Sequence, residues 1–118
     1  MGYAIITHPA KRGKSSSGTD AESFKMSITL PNPGFVFWPV GTGDSTSICL
    51  DETTVMQIDI HHVKMAEEDE DPRIPIVDVL IQQLPSVAGM PYLACFALTH
   101  PDKDHVKGFA KLLESATI

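Results

Sequence analysis

From Phe24 onward, apolar and polar positions follow short, well-separated periods. Phe24-Lys25-Met26-Ser27-Ile28-Thr29-Leu30 alternates without a miss, which predicts a strand with one face in a core. Pro31-Asn32-Pro33-Gly34 reads as a turn, and residues 35–40 as a more fully buried strand that Pro39 marks as an edge or an end. Gly41-Thr42-Gly43-Asp44-Ser45 breaks the run, residues 46–50 resume it, and Asp51-Glu52-Thr53-Thr54 suits a hairpin. Residues 55–60 then pair back, completing a β-meander. Residues 61–73 contain the acidic run Glu67-Glu68-Asp69-Glu70-Asp71, whose mutual repulsion predicts a solvated loop. Pro75 stands where a first helical residue belongs, ahead of a stripe at Ile76, Val77, Leu80, Ile81 and Leu84 that Pro85 stops. Residues 91–98 form a continuous apolar run, suited to a strand covered on both faces. Val106, Phe109, Ala110, Leu112 and Leu113 form a second helical stripe. The order of strands, helix, buried strand and helix predicts an α/β (α+β layered) structure over residues 24–118.

Residues 1–23 read differently. The Ser- and Gly-rich stretch 8–23 predicts a flexible or loop-like N-terminal arm, with Lys11, Arg12 and Lys14 either solvated or set to touch phosphates. The 118 residues carry a net charge of −6, which argues against a generally basic nucleic-acid-binding module but leaves room for a local basic groove. No apolar run approaches the ~20 residues that a membrane span requires. Cys49 and Cys95 both lie in apolar runs and read as buried free thiols. With no secretion signal legible, a cytoplasmic location is the expectation.

The loop between the last strand and the last helix carries the chemistry. Thr99-His100-Pro101-Asp102-Lys103-Asp104-His105 places four metal-ligand residue types within six consecutive positions. Chance supplies such a pattern on the order of once in several thousand chains of this size. Loops at the carboxyl ends of strands are where layered α/β proteins collect their sites. In extended backbone His100 and Asp102 project to one side and reach one ion, whereas Asp104 and His105 diverge toward a second ion or a supporting role. Imidazole with carboxylate favours zinc, and Asp102 opens the site to harder ions such as Mn²⁺. The plain alternative is that His100 caps the strand and Asp104 the helix. His61 and His62, after Ile58-Asp59-Ile60, read either as an extra metal or phosphate contact or as a partly exposed loop pair.

The pattern Thr99-His100-x-Asp102-x-Asp104-His105, followed by Lys107-Gly108-Phe109, resembles the first metal motif of the metallo-β-lactamase superfamily, in its ComEC-like (competence protein hydrolase domain) variant. Val40-Gly41-Thr42-Gly43-Asp44-Ser45 and the strand ending in Ile58-Asp59 are similar to further segments of that subgroup. The resemblance spans residues 24–113 and implies the N-terminal part of an αββα sandwich. It implies that His100 and Asp102 serve one metal site and Asp104 and His105 another. Asp104 and His105 would act in catalysis, with Asp104 orienting the attacking water. Asp59 and Thr99 would brace these ligands. The implied cofactor is a divalent metal, Zn²⁺ or Mn²⁺, with up to two ions in a complete site. The implied activity is hydrolysis by a metal-bound hydroxide, first of all of phosphodiesters in nucleic acid. The superfamily's later His, bridging Asp and final His have no counterpart after His105, so further ligands are expected from the remainder of the domain or a partner chain. Two other functions stand beside this one: a non-catalytic metal-binding or interaction module of the same fold, and hydrolysis of a small ester, lactam or thioester.

Overall fold

A computed structural model of the chain describes Ala4, Ile5 and residues 29–118. Its main sheet has five strands in the order β1 (Ala4–Ile5), β2 (Gly34–Phe37), β3 (Thr46–Cys49), β4 (Val55–Ile58) and β7 (Cys95–Ala97). The meander is present: β2, β3 and β4 pair antiparallel, with Val36 opposite Ser47 and Ser47 opposite Gln57. Both outer pairings are parallel, β1 on β2 and β7 on β4. The protein is thus a mixed α+β structure built on a mixed sheet.

Alternation along the meander decides which face is buried. Val36, Ser47, Cys49, Val55 and Gln57 turn inward, while Phe35, Ile48, Met56 and Ile58 stay half-buried on the other face and Phe37 is exposed. A single 3₁₀ turn (Lys64–Glu67) leads into the acidic run, and α1 (Ile76–Gln83) follows, with Pro75 at its N-cap. Ile76, Val77 and Leu80 are fully buried, as the stripe predicts, each contributing roughly 1.5–3 kcal/mol by leaving water. They share one core with Val36, Trp38, Val55, Leu93 and Leu112. No helix among the described residues is long and apolar enough to cross a membrane.

Several sequence expectations are corrected. Ala4–Ile5 is a strand rather than part of a loop-like arm. The rest of that arm, its basic cluster and residues 24–28 of the first predicted strand lie outside the described residues, and Thr29 and Leu30 are not strand. The strand predicted over 55–60 stops at Ile58, because Asp59 adopts the left-handed conformation (φ 54°), which no pleated strand accommodates. The apolar run 91–98 divides: Met90–Pro91 (β6) pairs with Ser86–Val87 (β5) in a small separate hairpin, and only β7 joins the main sheet. Its residues are half-buried, because β7 has a neighbour on one side alone and its strand is three residues long. The last predicted helix is two: α2 (Lys103–Val106) and α3 (Phe109–Ser115), broken at Gly108 with φ 105°. A Cβ at Gly108 would stand 2.6 Å from His62 Cβ, so the break is what lets this segment lie against residues 61–62. Both cysteines are free, Cys49 buried and Cys95 half-buried.

Candidate metal centre

Parallel pairing of β4 and β7 brings two carboxyl strand ends together, and the amide of Asp59 donates to Ala97 O at 2.9 Å across them. Beyond that point, residues 59–62 run beside the ligand loop, with Ile60 N donating to His105 O (2.8 Å) and His62 N to Lys107 O (2.7 Å). The glycine-rich turn before β3 closes the same end. Gly43 (φ 101°) presses so near the loop that a Cβ there would lie 2.2 Å from the carbonyl oxygen of Asp104.

Asp59 is the hub. Its Oδ1 accepts the Thr99 amide (2.8 Å), and its Oδ2 accepts the Thr99 hydroxyl (2.5 Å) and His105 Nδ1 (2.9 Å). Its backbone is held too, because the carbonyl accepts Gln57 Nε2 at 2.8 Å. Gln57 in turn closes a buried chain, Trp38 Nε1 to Ser47 Oγ (2.8 Å) to Gln57 Oε1 (2.6 Å), which anchors the site to the sheet core. Burial pushes the Asp59 carboxyl up, yet the bonds from Thr99 and His105 together hold it below its ordinary value. The bond to Asp59 raises His105 above its ordinary value, against burial and with help from the charges of Asp104, Asp59 and Asp44.

Hydrogen-bond accounting fixes both loop imidazoles. Asp59 is an ionised acceptor, so His105 Nδ1 carries a proton and donates it. The Thr99 hydroxyl spends its proton on Asp59, so at its 3.0 Å contact with His100 Nδ1 it accepts. In the neutral ring each Nε2 therefore keeps a lone pair. His105 Nε2 lies 3.5 Å from Asp104 Oδ2, His100 Nε2 lies 3.6 Å from Asp102 Oδ2, and the ring centroids are 3.6 Å apart. The loop thus forms two His–Asp pairs whose rings adjoin, and the expected divergence of Asp104 from His105 does not occur. Nor is Asp104 a cap: the N-cap of α2 is Asp102, whose side chain makes no capping bond.

One donor set here brings three ligand atoms close enough together to hold a cation, whereas the loop residues meet in the pairs just given. Ligand atoms of Asp44, Asp59 and His105 fall within 4.8 Å of one another, with Asp44 Oδ2 at 3.8 Å from His105 Nδ1. That set requires the nitrogen already committed to Asp59 and a carboxylate whose two oxygens already accept three bonds. The loop set uses the uncommitted Nε2 atoms and leaves Asp59 as their support, the usual arrangement around a ligating histidine. By donor chemistry alone the loop's imidazoles and carboxylates suit a divalent ion, and Asp44, which no local ligand pattern marks, stands 3.8 Å from His105 Nδ1.

His61 and His62 are buried rather than partly exposed. His62 Nδ1 accepts the Val77 amide (3.2 Å), which leaves Nε2–H to donate to Glu67 (2.9 Å). His62, Glu67 and Asp78 also have ligand atoms within 4.8 Å of one another, but Lys111 Nζ sits among them, at 2.7 Å from Glu67 and 2.8 Å from Asp78. Its ammonium already supplies the positive charge, so this cluster is a clamp tying α3 to α1 and the 3₁₀ turn.

Searches against protein-family models, curated proteins and solved structures returned no match.

Proposed function

We propose that this chain carries the first ligand motif of a metal-dependent hydrolase with the metallo-β-lactamase αββα architecture, acting on phosphodiesters of nucleic acid. The observation that carries the reading is the hydrogen-bond relay Asp59–Thr99–His100, together with Asp59–His105, which leaves two neighbouring imidazoles with Nε2 lone pairs beside two carboxylates. His100, Asp102, Asp104 and His105 would hold a divalent ion, Zn²⁺ or Mn²⁺, with Asp59 and Thr99 fixing the rings. Such an ion lowers the pKa of a coordinated water toward neutrality and polarises the bond under attack. Asp104, half-exposed at the edge of the loop, would orient an attacking water and accept its proton. The site's place beyond two parallel strand ends agrees with where such centres form. The half-buried apolar face of Phe35, Ile48, Met56 and Ile58 suits contact with a second sheet, supplied by the remainder of the domain or a partner chain.

A nuclease assay with and without EDTA, beside His100→Ala and Asp104→Ala, tests the reading. Hydrolysis abolished by EDTA and by both substitutions is the expected result. Metal binding without hydrolysis would favour the non-catalytic module, and activity surviving both substitutions would overturn the assignment.

A further inference from the structure

Beside the ligand loop lies a hollow of about 590 Å³ lined by Thr42, His61, Lys103, Asp104, Val106 and Lys107. Two of its six lining residues are lysines, beside the single carboxylate of Asp104. In a chain of net charge −6, Arg73 pairs with Asp71, and Lys111 with Glu67 and Asp78. Among the described residues Lys103 and Lys107 form no ion pair, and they stand one helical turn apart on the wall of this hollow. Unpaired lysines at a concave surface concentrate positive potential there.

His61 adds an independent sign. Its side chain is only 9% exposed, and its Nδ1 is buried without a hydrogen-bond partner among the described residues. Its polar contact is with the Thr42 backbone, at the rim of the same hollow. An unpaired buried nitrogen is uncommon in folded proteins, and this one, packed against the Gly43 turn, makes the wall of the hollow polar without itself reaching solvent. Asp104 borders the hollow on the other side, so an anion held there lies next to the proposed metal loop.

We propose that this hollow is a subsite for a second phosphate of the substrate, the one belonging to the nucleotide next to the phosphodiester at the metal loop. Lys103 and Lys107 supply point charges to its oxygens, and His61 and Thr42 form its floor. This assignment rests on the phosphodiesterase reading of the neighbouring loop and makes the preferred substrate an oligonucleotide rather than an isolated phosphodiester.

The test compares binding of dithymidylate with and without a 5′-phosphate, on the full chain loaded with zinc and again after chelation. The 5′-phosphorylated form is expected to bind about tenfold more tightly to the loaded protein, and Lys103→Gln/Lys107→Gln should erase the difference. Both lysines are exposed, so the double variant folds normally by circular dichroism; His61→Ala, a buried change, serves as a second variant with the same expected loss. Equal affinity for the two dinucleotides, or a difference that persists in the double variant, would overturn the subsite. The two readings fail separately. Lysine-dependent phosphate preference without hydrolysis leaves the subsite and removes the hydrolase; EDTA-sensitive hydrolysis without phosphate preference does the reverse.

Discussion

His105 Nδ1 donates to Asp59 Oδ2 at 2.9 Å, and both side chains are buried. The same carboxylate oxygen takes the Thr99 hydroxyl proton, so one acid orients both histidines of the loop. Asp59→Asn puts an amide where an ionised acceptor stood and unsettles both tautomers. Zinc affinity should fall about ten- to a hundredfold, as is usual when the group supporting a ligating histidine is changed. Thr99→Val should weaken zinc through His100 and Asp59 together, whereas Thr99→Ser, which keeps the hydroxyl, should restore it. Competition with a chromophoric chelator measures all three.

Gly43 and Gly89 both have positive φ, but only one is crowded. A methyl group at Gly43 meets the Asp104 carbonyl at 2.2 Å, while at Gly89 nothing lies within 4 Å. Gly89→Ala should cost about 1 kcal/mol, from backbone strain alone. Gly43→Ala should cost roughly 2 kcal/mol or more and displace the ligand loop, so zinc binding falls with it. Urea denaturation of the two variants separates the cases.

Gln57 joins the sheet core to the strained turn at Asp59. Gln57→Leu leaves Ser47 and the Asp59 carbonyl without their buried partner. The loss should be about 2–3 kcal/mol in urea denaturation, against less than that for a shape-matched change at an apolar core position.

The clamp around Lys111 sets a pH dependence. Hydrogen bonds from Lys111 and His62, with the Lys111 charge, bring the Glu67 carboxyl from its ordinary 4.5 down to about 2. A depressed carboxylate stabilises the fold above its unfolded value and loses that contribution as pH falls through its folded value. Wild-type protein should therefore exceed Glu67→Gln in stability above pH 4.5, and the gap should close between 4.5 and about 2. Thermal unfolding of both proteins across that range checks it. High salt should narrow the gap, because Glu67 and Lys111 are both partly in water.

What the sequence made legible depended on range. The meander and the stripe of Ile76, Val77 and Leu80 are local periodicities, and they appear where expected. The concentration of candidate ligands in His100–His105 is equally local, and the structure joins them in two pairs, His100 with Asp102 and His105 with Asp104. The relay from Asp59 through Thr99 spans 40 residues, and only the parallel β4–β7 pairing brings its ends together. Asp44 at the rim, the Glu67–Lys111 clamp and the burial of His61 and His62 likewise follow from long-range packing. Apolar spacing continues across the helix break at Gly108, while the reason for the break, His62 Cβ, lies far back in the chain.

The proposed function stands or falls with a divalent ion at the His100–His105 loop, braced by Asp59. Titration of the metal-free protein with zinc by calorimetry, beside His100→Ala and His105→Ala, tests it most directly. A saturable zinc site is expected, weakened severely by each substitution and left intact by Glu67→Gln. Absence of zinc binding, or binding that survives both histidine substitutions and is lost with Glu67→Gln, would contradict it.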